Sequence, residues 1–449
     1  MKKFSISLAT ILLFFWVNTV FAYEPGTHLN LADSAARQSV LAINDGVLAE
    51  LGLQGIDEST QLFPDPEGGE SVALGPNNTD LFTARDADTV IGLIRTGAAL
   101  EDEFPRSLFH FYDPVPGHIP ALNFNGVAAP YSAPDWALGD SGLSPIGQSY
   151  SLKNANDYFY KALTSVNEAN RNKAFGSLFV SLGHAIHLIQ DVAQPQHVRN
   201  DMHCDADICA NTEVALVAAF GSFVPLYNPS LYESYTYEHA NVAGYSGGYA
   251  SVVLPTARSY WAGSNGKGLA QFTNENFVSA GTNFSLDSKG DVLPNGNYAL
   301  PVPISLSGLE SLEDVYQELG KPVPQQLEQY CSPSSASLCG VSFVATNVVD
   351  GYTGTSEVNG RAASYSIFDQ DLEHYESRKL FTLNALNFQY DWQYLLSRAI
   401  GYSTGLINYF FRGKLDVQPD PNNPGGYLVI NKSSFPMSNG TLTLYYDDA

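Results

Sequence analysis

Apolar residues recur every third or fourth position in four stretches of this chain, and each stretch predicts an amphipathic helix. THLNLADSAARQSVLAI gives a helix beginning near Thr27, and NANDYFYKALTSVNEA gives a second. KAFGSLFVSLG continues through Ile186 and Ile189 into a third, from about Asn172 to about Val192, with Pro195 just beyond its end. The longest runs from about Ser377 to Arg412, its apolar stripe including Phe381, Ala385, Phe388, Trp392, Leu395 and Ala399, and Gly413 is expected to end it. From about Asn200 to Tyr365 the chain is richer in Gly, Ser, Asn and Pro and reads as ordered loops with short elements. DVQPDPNNPGG is a linker by composition. The residues after it alternate as strands around an Asn439-Gly440 turn, either a tail strand pair or the opening of a β-sandwich that stops abruptly. The expected fold class is mainly α: a multi-helix domain over 23–415 with a loop-rich insertion at about 205–365, then a linker and β segment over 416–449.

The first 22 residues change the picture of where this domain works. Lys2 and Lys3 precede an apolar run from Leu8 to Val17, and Val20-Phe21-Ala22 offers a small-residue cleavage site. This pattern is a secretory signal peptide, too short and wrongly flanked for a permanent span. The mature chain is expected to start at Tyr23 and to be secreted, extracellular or periplasmic. A formal charge of −24 with only 22 Lys and Arg argues against gripping a polyanion through a broad basic surface. A local cationic site made by bound metal stays compatible with it. The four cysteines fall as Cys204 with Cys209 and Cys331 with Cys339. In an exported protein two short-loop disulfides are expected, with a Cys-type zinc site the alternative that the missing CxxC spacing disfavours.

The candidate chemistry sits on the third helix, in HAIHLIQDVAQPQH. His187 and Asp191 are four residues apart and project from one face; His184 lies three residues before His187. After the proline turn, His197 arrives six residues past Asp191. Burying such a stripe without partners is costly. One His–Asp pair would be read as a hydrogen-bonded core pair, but four ligand-type residues in fourteen favour a metal. Imidazole nitrogen with carboxylate oxygen suits zinc. Elsewhere His28 opens the first helix, His110 lies in RSLFHFYDP, and His203 precedes Cys204. His118 and His374 read as loop and helix-surface residues, and Asp369 and Asp371 as surface or capping residues. Ser-His-Asp catalysis lacks a GxSxG elbow, and no glycine-rich phosphate loop is present.

H-x3-D-x5-H, preceded by HFYDP and by an N-terminal helix carrying His28, resembles the zinc-dependent phospholipase C and single-strand nuclease superfamily. The resemblance covers roughly residues 23–200 and 377–413. It implies a mostly helical fold holding up to three Zn2+ ions, and carries ligands over position by position. Tyr23, through its α-amino group and carbonyl, would share one ion with His28; the family usually has Trp there. Asp102, His110, His187 and Asp191 would hold a second, with Asp191 bridging the two and Glu101 a close competitor of Asp102. The third ion takes His197 with a later His and an acid. Glu233 matches the acid, but Pro229 stands where the His belongs, so His203 is the expected substitute and His239 the runner-up. His184 is read as a hydrogen-bond partner of the ligands or as a core His. The implied activity is phosphodiester hydrolysis by zinc-activated water, with Asp102 orienting or deprotonating that water and Asp191 holding the metals. A phospholipid substrate, met in transient contact with a membrane surface, is the first reading. A nuclease acting on single strands is the second, favoured by the Tyr23–His28 spacing. Glu103, where choline-preferring phospholipases carry an aromatic, departs from the pattern and puts choline specificity in doubt. A zinc-stabilised, non-catalytic binding or adhesion protein is the third reading, kept open by the altered His placement and the long insertion.

Overall fold

The computed structural model describes residues 25–44, 46–62, 89–102, 106–124, 127–139, 148–203, 230–245, 249–263, 267–301, 305–318, 320–323, 325, 340–366, 378–433 and 436. The expected signal peptide, Tyr23, Glu103, the four cysteines, Pro229, Asp369, Asp371, His374 and the expected turn at Asn439-Gly440 lie outside them. Among the described residues the fold is mainly α, and no helix is long and apolar enough to cross a membrane.

Seven helices matter for the site: α1 (Pro25–Gln38), α2 (Val90–Leu100), α3 (Leu152–Thr164), α4 (Glu168–Asp191), α5 (Leu231–His239), α6 (Leu269–Asn276) and α7 (Ala385–Phe410). Their apolar faces merge into one core running from Leu31 to Ile407. α4 is its axis, buried continuously from Ala174 to Asp191. The helix begins four residues before the position that periodicity suggests. Asn167 caps it by accepting from Asn170 N, and the added turn is polar and exposed, so hydrophobic spacing cannot report it. The second helix, in turn, stops at Thr164, and Ser165 to Asn167 form the corner into α4. α1 is regular only to Gln38, where Ser39 starts a 3-10 turn over Val40–Ala42.

α2 and α4 cross with their backbones almost in contact. A Cβ on Gly97 would lie 2.0 Å from the Val180 carbonyl oxygen, and one on Gly183 would lie 2.1 Å from that of Ile94. Only glycine fits at either position. The approach sets how far the residues after the crossing, Ala98 to Asp102, stand from the next turn of α4.

Three strand pairs depart from the sequence reading. Inside the stretch expected to be loops lie strands that include β1 (Ser285–Asp287), β2 (Gly340–Val349) and β3 (Ser356–Ser366), and beyond it, at the start of the expected long helix, lies β4 (Arg378–Leu380). β2 and β3 form an antiparallel hairpin in register from Val341 opposite Ser366 to Val349 opposite Ser356, with two irregularities. The Val-rich run VSFVATNVV is a buried strand rather than a loop. Asp350 begins the turn, accepting from Tyr352 N and Thr353 N, and its carboxylate receives Arg398 of α7 at 2.8 Å in a buried ion pair. β4 pairs with β1, which takes residues 378–380 out of the expected long helix. α7 starts only at the Asn384 cap, where an Asn384–Asn387 capping box fixes its first turn, and it ends at Phe410, before Gly413. The linker is also half strand: β5 (Leu415–Pro419) pairs with β6 (Tyr427–Asn431), and the Pro- and Asn-rich stretch between them is the turn of a hairpin.

Candidate metal centre

α1, the turn after α2, the HFYDP segment, α4, the segment after α4 and α5 each deliver ligand-type side chains to one buried place. His28, Asp102, His110, His187, Asp191, His197, His203 and Glu233 are all at most 2 % exposed. They assemble into three groups whose ligand atoms lie within 4.8 Å of one another: His28, His187 and Asp191; Asp102, His110 and His187; and His197, His203 and Glu233. Each group could hold a metal ion.

Asp191 stands between the groups. Its Oδ1 lies 3.4 Å from His28 Nε2 and 3.7 Å from His197 Nδ1, while its Oδ2 lies 3.2 Å from both His110 Nδ1 and His187 Nε2. Asp102 Oδ1 faces the same two imidazoles, at 3.8 Å from His110 Nδ1 and 3.5 Å from His187 Nε2.

The other nitrogen of each ring is already committed. His187 Nδ1 donates to the Ala98 carbonyl at 2.5 Å, His110 Nε2 to that of Glu101 at 3.1 Å, and His28 Nδ1 to the Gln190 side-chain oxygen at 2.6 Å. Proton placement follows from these acceptors. With the outward nitrogen protonated, a neutral ring turns a lone pair inward, toward a carboxylate that also carries only lone pairs. Burial favours the neutral ring: it drives His187 down to about 3 and lowers His110 and His197 as well. Among the described residues, Asp191 Oδ1 and Oδ2, His110 Nδ1, His187 Nε2 and His197 Nδ1 consequently have no hydrogen-bond partner. Lone pairs converging in a buried pocket repel one another unless a cation lies between them. The donor set, rich in imidazole nitrogen with carboxylate oxygen, fits a zinc-like ion better than calcium or magnesium.

The third group is held differently. His203 Nδ1 donates to the Asp201 carbonyl at 2.8 Å, and its Nε2 lies 2.8 Å from Glu233 Oε1 and 3.3 Å from His197 Nε2. Burial pulls the His203 imidazole down, but the facing Glu233 carboxylate outweighs it and lifts the group to about 9. A proton on Nε2 fills the role that a bound cation would take over. Glu233 enters from the first turn of α5, whose cap Ser230 accepts from Glu233 N. His239, on the last turn of α5, points away: its side chain is 44 % exposed and bonds to Tyr235 O of its own helix. The HFYDP segment is tied to this group by its backbone, Tyr112 N donating to His197 O at 3.0 Å, and by Phe111, which stacks on the His197 ring.

Glu101 and Asp102 are adjacent but differently used. The Glu101 carboxylate receives Trp136 Nε1 at 2.7 Å, His184 Nδ1 at 2.5 Å and Arg106 Nε at 2.9 Å. Burial alone would raise this acid, but Arg106 and then His184 hold it down at about 2. It forms the frame behind His110, whose outer nitrogen its own carbonyl receives. Sequence reading missed this role, along with Gln190, which holds His28, and Gln194, which donates to Glu233. The signal was present: three glutamines in QDVAQPQH have no place on an apolar helix end unless they serve buried polar groups. His118 pairs with Asp113 at 2.9 Å, clear of the cluster. Compared with protein-family models, with curated proteins and with solved structures, the chain has no match.

Proposed function

We propose that this protein is a secreted zinc-dependent phosphodiesterase of phospholipase C type. One observation carries the reading: buried imidazoles, anchored from behind by oxygen acceptors, turn lone pairs toward two carboxylates, one of which faces both neighbouring groups. In this reading His28 and Asp191, with Tyr23, hold one ion; Asp102, His110, His187 and Asp191 hold the next; His197, His203 and Glu233 hold the last. When bound, such ions polarise a phosphoryl oxygen and bring a water to deprotonation near neutral pH. The chain's own contribution is positional. Asp102 stands across from His110 and His187 and is the acid on hand to orient the attacking water or take its proton. Asp191 keeps the groups at fixed separation, and the carbonyls of Ala98 and Glu101 lock two rings in the metal-binding tautomer. The ring of His197 stacks on Phe111, which supports it on Glu233's side of the site.

The test has two stages. Elemental analysis of purified mature protein, grown with ample zinc, should give two or three zinc ions per chain, and the protein should hydrolyse bis(4-nitrophenyl) phosphate. Less than one ion per chain refutes the metal reading; metal without hydrolysis leaves a zinc-stabilised binding protein. Release of a phosphorylated head group from phospholipid vesicles, set against cleavage of single-stranded DNA, then decides the substrate.

A further inference from the structure

A cavity of about 200 Å³ lies between the segment after α4, α5, the segment after α6 and the first turns of α7. Its wall is mostly apolar and includes Val278, Tyr232 and Phe388, the two rings meeting edge to face at 5.3 Å between centroids. Leu231 and Ala280, both exposed, mark where it meets solvent. Into this lining comes one acid, Asp391, only 6 % exposed. Among the described residues no hydrogen bond or ion pair reaches its carboxyl, and burial alone pushes the group well above the usual carboxylate range. The buried glutamates are matched, Glu101 by Arg106 and His184 and Glu233 by His203 and Gln194, and Asp102 and Asp191 face the imidazoles of the metal centre. A solitary carboxyl in an apolar wall costs stability, as any uncompensated buried charge does. Helix propensity and packing would both be served better by Leu at this position.

We propose that this cavity binds a small protonated aliphatic amine, with Asp391 as its counter-ion. The ammonium N–H groups donate to the carboxylate, and the rings of Tyr232 and Phe388 are part of the same lining. The hydrocarbon part fills the apolar wall. The volume equals that of roughly six or seven waters, enough for an amine of a few carbons and too small for a nucleotide. A metal ion is a poor fit because one carboxylate is the whole charged donor set in the lining. A purely apolar ligand leaves the acid unmatched. The cavity wall includes Gln196 and Tyr232, which directly precede His197 and Glu233 in the chain, so amine binding and the metal centre share two segments. The proposal stands without the phosphodiesterase reading, since it concerns a different acid and a different readout.

Calorimetric titration of the full mature protein with n-butylammonium chloride and, separately, with butan-1-ol tests it. n-Butylammonium should bind at least about tenfold more tightly than the alcohol, because only the amine matches the charge. Asp391→Asn should abolish that preference while leaving the circular dichroism spectrum unchanged. Ala280→Trp, a change at the exposed rim, should weaken n-butylammonium binding and covers the case in which the Asp391 variant fails to fold. Equal binding of the two probes, no detectable binding of the amine, a preference that survives Asp391→Asn, or undiminished binding to the Ala280 variant would each overturn the proposal.

Discussion

Replacing Asp191 by Asn should remove two metal ions, not one. Asp191 is fully buried, and its two oxygens face in different directions: Oδ1 toward His28 and His197, Oδ2 toward His110 and His187. Asn offers one oxygen and a pair of N–H donors, so whichever way the amide turns it presents a donor where a cation should lie. An ion present at about 100 times its dissociation constant adds about 2.7 kcal/mol to folding stability. Losing two therefore removes about 5 kcal/mol, and at roughly 2 °C per kcal/mol for a long chain the midpoint should fall by about 10 °C. Glu233→Gln, which touches only the third group, should cost one ion and about half that shift. Elemental analysis after desalting counts the ions; calorimetry with and without a chelator measures the midpoints. In the chelator the difference between Asp191→Asn and the parent should narrow, since most of it derives from bound metal. If Asp191→Asn loses a single ion, or melts within a degree or two of Glu233→Gln, the carboxylate is an ordinary ligand and the shared-acid reading is wrong.

Further outcomes follow from the same geometry. His203→Ala should lower zinc content by one ion and reduce phosphodiesterase activity, whereas His239→Ala, at an exposed helix end, should change neither; equal effects would move the third site elsewhere. Glu101→Gln takes the anionic partner from the buried Arg106 guanidinium and should destabilise by about 3 kcal/mol in denaturant titration. Asp350 is held below its usual range because Arg398 outweighs burial, so the pair stabilises the fold above the ordinary carboxylate pKa of about 4 and loses that contribution as pH falls through and below it. Acid unfolding of Asp350→Asn should accordingly be flatter across that range than the parent's, and parallel curves would refute the assignment. Gly183→Ala should cost about 1–3 kcal/mol by overpacking the crossing with α2, read from the thermal midpoint of metal-free protein.

What the sequence disclosed was the part with strong local signals. α4 carries a helical stripe, a proline stop and ligand-type residues at fixed spacing, so its face could be read directly from HAIHLIQDVAQPQH. The start of α4 could not, because Asn167 acts through a hydrogen bond rather than through hydrophobicity. The β2–β3 hairpin was hidden for another reason. Its surroundings are rich in Gly, Ser and Asn, and that composition outweighed a short Val-rich run whose pairing partner lies across a turn docked by a residue some fifty positions away, Arg398. β4 was absorbed into the long helix because Phe381 happens to continue the three-and-four spacing, although it packs in a separate small core with Phe284 and Tyr365. At the site, the ligand-type residues were legible because few other reasons put His and Asp on an apolar helix. The supporting roles of Glu101, Gln190 and Gln194 were missed, since a residue that holds a ligand from behind has no spacing of its own, and the glutamines signal only by standing at an apolar helix end.

The glycine crossing of α2 and α4 couples two properties that are usually separate. Ala98, one residue after Gly97, supplies the carbonyl that fixes the His187 ring, and His187 lies one helical turn after Gly183. The distance between two helix axes is thereby also the distance between an imidazole and the acceptor that sets its tautomer. A swelling of a few tenths of an ångström at the crossing, too small to unfold anything, would release the ring and retune its affinity for a cation. Seen this way, the helix pair is a gauge: whatever spreads it, whether a methyl group or a distant repacking of the core, moves the acceptor that sets the His187 tautomer.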